Sequence, residues 1–341
     1  MKTLLYAAVA AFACSTASGA TTYKLQVLNV FGSRSVTPLG IDAKGNMSGM
    51  YFPNGAQYAH AFLYKGGAMI DVADENPQTS YAGRRVNKSA QMLVASWNML
   101  AGTSKMFWYQ DGKRHKIPGL GDLDDVLNGI NDGGVIIGTS SGQSPAAAWK
   151  FVDGVTSRLL PDAAWSQASD INNAGQIVGS FVPANSDRRG FVTDGVTTTV
   201  LGTLGGNISE AVTINDAGHV VGTATTLDPG SGPPTSYNAF IYRKGKMKSL
   251  GSLGGGSSTA IAINGKDQVI GTSLLSDLQT LHPFLWTDGS MVDLKTLIDP
   301  ATAGDWTLDS LVGISDKGVI LVKGHSPMDG TRALLLVPNP D

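Results

Sequence analysis

Ile130-Asn131-Asp132-Gly133-Gly134-Val135-Ile136-Ile137-Gly138 holds the pattern that decides the fold. It reads as an aliphatic residue, Asn, two turn residues and Gly, then a short apolar run closed by Gly. The pattern returns at Ile171-Asn172-Asn173-Ala174-Gly175 with Ile177-Val178-Gly179, and at Ile214-Asn215-Asp216-Ala217-Gly218 with Val220-Val221-Gly222. Ile263-Asn264-Gly265-Lys266-Asp267 and Ile314-Ser315-Asp316-Lys317-Gly318 continue it, and Ile41-Asp42-Ala43-Lys44-Gly45 and Val86-Asn87-Lys88-Ser89-Ala90 are weaker copies upstream. The seven anchors stand at 41, 86, 130, 171, 214, 263 and 314, with spacings of 45, 44, 41, 43, 49 and 51 residues. So steady a period marks a repeat architecture.

Each repeat continues in the same order. An apolar segment follows, often aromatic, as in His60-Ala61-Phe62, Phe107-Trp108-Tyr109 and Phe284-Leu285-Trp286; then a Gly-centred turn such as Asp153-Gly154; then a stretch ending near Leu. Gly accepts positive φ freely, so Asp-Gly between apolar runs predicts a tight hairpin. In Asn-x-x-Gly the Asn side chain can bond the backbone two residues on while Gly takes the left-handed position. Four short strands per 40–50 residues make the blade of a β-propeller. The last unit, from Leu311, has only one more strand after Gly318–Val322, at Arg332–Val337. A spare strand, Tyr23–Leu28, precedes the first anchor. The expected fold is an all-β, seven-bladed β-propeller of four-stranded antiparallel blades, closed by the N-terminal strand completing the C-terminal blade, which leaves no long open edge at the join. Residues 21–341 form one domain, with units near 39–81, 82–126, 127–167, 168–210, 211–259, 260–310 and 311–341 plus 22–30.

Residues 1–20 read as a signal peptide: Met1-Lys2, an apolar run from Leu4 to Ala13, and small residues up to a cleavage site near Ala20. The run is too short to span a bilayer. Cys14, the only cysteine, lies within it; acylation there would want a Leu-like residue where Ala11 stands. The expected location is secreted or extracellular, with the periplasm as a variant. With 25 Lys and Arg against 27 Asp and Glu, the chain has no basic field for nucleic acid. No membrane span, cofactor or metal is expected, and the chain is expected to be a monomer.

The combination of Asn-x-x-Gly, Val-x-Gly, His-Ala-Phe and Leu-Gly-x-Leu-Gly-Gly resembles the HAF-repeat family of bacterial extracellular repeat proteins. The carriers are His60-Ala61-Phe62, Asn238-Ala239-Phe240, His282-Pro283-Phe284-Leu285-Trp286, Leu201-Gly202-Thr203-Leu204-Gly205-Gly206 and Leu250-Gly251-Ser252-Leu253-Gly254-Gly255. The likeness is weakest in unit two, where Ala90 replaces Gly. It implies an exported repeat protein and carries no catalytic residue across.

With the first strand of each unit innermost, one face of the ring carries the longer, more variable loops, and function usually rides on such loops. Trp97, Trp165, Trp306, Tyr81, Arg188 and Arg189 are the ligand-binding candidates there, since aromatic faces stack on sugars or grip side chains and Arg binds carboxylate bidentately. Chemical motifs are few. Gly138-Thr139-Ser140-Ser141-Gly142 lacks the strand-to-helix elbow of a nucleophilic serine. His60 and His282 share one repeat position and read as structural. Asp122, Asp124 and Asp125 lack calcium-loop spacing. The expected function is a non-enzymatic, exported scaffold binding a glycan, peptide or protein through its loop face. The alternative is a polysaccharide hydrolase or lyase with carboxylates at the channel mouth, Asp122, Asp125 and Asp305 first among them.

Overall fold

The computed structural model describes residues 21–73, 78–121, 125–142, 145–184, 186–227 and 236–340. The signal-peptide reading of 1–20, and Asp122 and Asp124, lie outside the described residues. Among the described residues the chain forms seven four-stranded antiparallel sheets, a seven-bladed β-propeller. The inner strands of blades 1 to 7 are Val36–Ile41, Thr79–Val86, Asp125–Ile130, Trp165–Ile171, Gly205–Ile214, Gly254–Ile263 and Thr307–Ile314. Each begins before the unit boundary read from the repeat and runs into the Asn-x-x-Gly turn. The seventh blade adds Ile320–Ser326, Gly330–Pro338 and, at its outer edge, Tyr23–Val27. Tyr23 pairs with Pro338 and Val27 with Leu334, so the start of the described chain closes the ring as expected. The far edge of this strand is also covered. Tyr23 O accepts from Asp299 N at 2.8 Å, and Leu25 N donates to Thr302 Oγ1 at 3.0 Å.

The repeat residues have distinct physical jobs. Asn215 Oδ1 accepts from Ala217 N and His219 N, which fixes its own turn, while Asn215 Nδ2 donates to Asn264 O of the next blade at 3.0 Å. Asn87, Asn131, Asn172 and Asn264 make the same cross-blade bond, to Asn131, Asn172, Asn215 and Ser315 carbonyls. These side chains belt the inner ring. The glycine of Val-x-Gly faces the aromatic of the third strand: Gly222 pairs with Phe240, and a Cβ there would lie 1.9 Å from Glu210 O and 2.9 Å from the Phe240 ring. Phe62, Phe191, Phe240 and Phe284 are fully buried as a result.

Between blades the cores are apolar. Ile137, Ala148, Ile171, Ile177 and Phe191 join blades 3 and 4, for example. Every inner strand among the described residues also carries a bulge, at Leu39, Arg84, Asn128, Ser169, Val212, Ile261 and Val312. A bulge breaks the two-residue alternation and re-aims the next side chain. Here the next residues are Gly40, Arg85, Gly129, Asp170, Thr213, Ala262 and Gly313, and all seven line the central channel.

Candidate functional site

The hairpin turns within blades lie on one face of the ring; the connections from second to third strand, and from blade to blade, lie on the other. Trp165 opens the inner strand of blade 4 opposite Val182, and Arg188 and Arg189 stand at the start of the third strand, all at the loop face. The Arg188 guanidinium lies 4.7 Å over the Trp165 ring and pairs with Glu210 of blade 5. Arg189 donates to Asn207 O, and Asn207 Nδ2 donates to Asp187 Oδ2 at 3.1 Å. Three of the six sequence candidates thus meet at the seam of blades 4 and 5, half-exposed and joined by a carboxylate that sequence reading did not single out.

The other three lie elsewhere. Trp97, half-buried, ends the second strand of blade 2 between Ser80 and Ser104. Tyr81 is 2% exposed in the core joining blades 1 and 2, with the Arg114 guanidinium 5.5 Å from its ring. Trp306 packs against the core of blade 7. Trp97, Trp165 and Trp306 therefore sit in blades 2, 4 and 7, which do not adjoin. Asp125 accepts from Leu120 N at 2.9 Å in blade 3, and Asp305 is exposed ahead of blade 7. His60 and His282 occupy one place in blades 1 and 6, and both face an outer-strand carboxylate, Asp71 at 3.0 Å and Asp293 at 2.5 Å. After Ser140 the chain leaves its strand, and no described residue before Ala147 is helical.

The central channel holds groups that the sequence reading missed. Its mouth on the turn face is a cavity of about 260 Å³ lined from all seven blades. Lys88 of blade 2 reaches across to Asp216 of blade 5, with Nζ 2.7 Å from Oδ2. Asn173 Nδ2 donates to Asp216 Oδ2 at 2.9 Å and to Asp132 Oδ2 at 2.7 Å, so a polar bar crosses the mouth. Hydrogen bonding to Asp216 raises the Lys88 ammonium above its ordinary value. Burial works to raise Asp216, but bonds from Lys88 and Asn173 outweigh it and hold its carboxyl below the usual range.

Deeper, Arg85 Nε donates to Asn128 O at 3.0 Å and Nη1 to Leu39 O at 2.9 Å, tying the bulges of blades 1 and 3 to blade 2. Asp170 accepts from Thr213 Oγ1 at 2.6 Å and Ile214 N at 3.1 Å; burial still pushes its carboxyl up, and burial lowers Arg85. The signal for these residues was the variable slot two positions before each repeat Asn or its equivalent, read down the seven copies. It was masked because the bulge breaks strand alternation just before it.

No protein-family model matches the sequence, and no curated protein matches it. Solved structures do. The β-propeller domain of the Trilobed protease from Pyrococcus furiosus, described as an open velcro, superposes with a TM-score of 0.54 at 14% identity, over 78% of this chain and 86% of that one. A structure from an analysis of two prolyl endopeptidases gives 0.55 at 10% identity over 94% of this chain. A puromycin-hydrolyzing peptidase of Mycobacterium tuberculosis gives 0.53 at 13% identity over 89%. The chain spans about half the length of these two peptidases, 51% of each. The likeness is one of fold: the chain is similar to propeller proteins, and its own ring is closed by Tyr23–Val27.

Proposed function

We propose that the protein is an exported, HAF-type repeat protein that acts as a non-enzymatic binding scaffold, taking a glycan, peptide or protein on its loop face. The observation that supports this reading is the Trp165–Arg188–Glu210 cluster. An aromatic ring, a guanidinium and a carboxylate stand half-exposed at one blade seam, supplying a stacking surface with a donor and an acceptor beside it. The scaffold holds the loops still, and the loops carry the chemistry.

Asp125 and Asp305, named for the hydrolase alternative, do not line the channel cavity, so that reading would fall to Asp170, pushed up by burial, and Asp216, held down by its hydrogen bonds. Both carboxylates are already engaged by protein donors. A glycan array and a pulldown with the secreted protein test the scaffold reading. Wild type captures a ligand and Trp165→Ala with Arg188→Ala loses it. Capture of nothing, or cleavage of a polysaccharide abolished by Asp170→Asn, contradicts it.

A further inference from the structure

At the seam of blades 2 and 3 the ring opens into a cleft of about 440 Å³, lined by Gln91, Trp108, His115, Lys116, Phe151 and Asp153. It lies toward the turn face, away from the Trp165 cluster. The repeat shows what is unusual about it. At the register where Trp108 faces His115, blade 1 pairs Leu63 with Ile70, blade 4 pairs Val192 with Thr199, blade 5 pairs Ile241 with Lys248 and blade 6 pairs Leu285 with Val292. Blade 2 instead stacks two rings, 3.8 Å apart and 8° from parallel. Among the described residues no other blade does this. The outer strand is also the most basic: Lys113–Ile117 reads Lys-Arg-His-Lys-Ile with its first four residues exposed and three Lys or Arg, against two in blade 5, one each in blades 3 and 7 and none in blades 1, 4 and 6.

We infer that this cleft is a saccharide subsite for a carboxylate-bearing sugar, a hexuronate unit of an acidic glycan. The volume lies within the range of small-molecule sites, and aromatic walls with a few polar groups are what such sites use. Trp108 and Phe151 offer apolar surface to a ring face. Asp153 can bond its hydroxyls and Lys116 can meet its carboxylate, while Gln91 is held in the wall by Asn87 and Gln110. The inference extends the proposed binding function to a second face of the ring.

The test is calorimetric titration of the protein with a trimer of galacturonic acid and with its methyl ester. The trimer binds, its affinity falls with added salt, and the ester binds at least tenfold more weakly. Trp108→Leu and His115→Ile install the pair blade 1 already carries, so the fold survives, and each weakens binding at least tenfold. Val196→Ala, on an exposed turn of blade 4, leaves it unchanged. No binding by wild type, equal binding of the ester, or binding indifferent to Trp108→Leu and His115→Ile overturns the cleft. Loss of binding through Trp165→Ala instead moves the sugar to the loop face, which overturns the cleft and leaves the scaffold reading standing.

Discussion

Ala90 and Asp267 occupy the same place in their repeats, the position where five other copies have Gly, and both hold a positive φ, 57° and 60°. A left-handed backbone costs an L-residue roughly 1–2 kcal/mol. The Ala90 methyl is buried, which offsets part of that cost, so Ala90→Gly is expected to raise stability by at most about 1 kcal/mol, read as a higher urea midpoint. Asp267 is different: its carboxylate accepts from Asn215 Nδ2 at 2.9 Å and lies 2.8 Å from His219 Nδ1, stapling blade 5 to blade 6. Asp267→Gly relieves the same strain but strands those partners at about 1–3 kcal/mol each, so the same unfolding assay should show a net loss. Tyr23 gives a third case. It is fully buried, which drives its pKa up to about 12, and its hydroxyl has no partner among the described residues. Tyr23→Phe should therefore leave the urea midpoint unchanged or raise it, by about 1 kcal/mol at most.

At the scale of the element, the Asn belt and the channel bar make opposite demands. Asn172 bonds its own turn through Gln176 and reaches Asn215 O at 3.1 Å in a buried setting. Asn172→Ala strands buried groups in two blades and should cost about 2–4 kcal/mol in chemical denaturation. The Lys88–Asp216 pair is partly exposed, so its worth is screened to roughly 0.5–1 kcal/mol. Because the folded Asp216 is held low, its contribution is present above the ordinary aspartate value of about 3.9 and fades as pH falls through the lower folded value. The stability gap between wild type and Asp216→Asn should be full at pH 7 and close in strong acid, as followed by melts across pH. The turns and the hairpins were legible in the sequence because they depend on residue types a few positions apart. The cross-blade half of the Asn bond was not, since its acceptor is a backbone carbonyl some 40–50 residues away. The inner-strand bulges were hidden for a related reason: an extra residue cancels the alternation by which strands are read.

For the whole molecule, seven anchors and one displaced strand were enough to count the blades and close the ring. The sites were harder. Trp165, Arg188 and Arg189 converge, yet Tyr81 and Trp306 went to packing, because an aromatic near a loop serves burial as readily as binding. The ring rests on one long-range pairing between the two ends of the described chain. The direct measurement is a disulfide placed across it. With Cys14 replaced by Ser, Gln26→Cys and Leu335→Cys sit opposite each other in the closing register. Oxidation should join them in the monomer and raise the melting temperature, whereas Gln26→Cys with Thr331→Cys, out of register, should not. If the 26–335 pair stays reduced, or the out-of-register pair forms as readily, the ring is not closed by Tyr23–Val27.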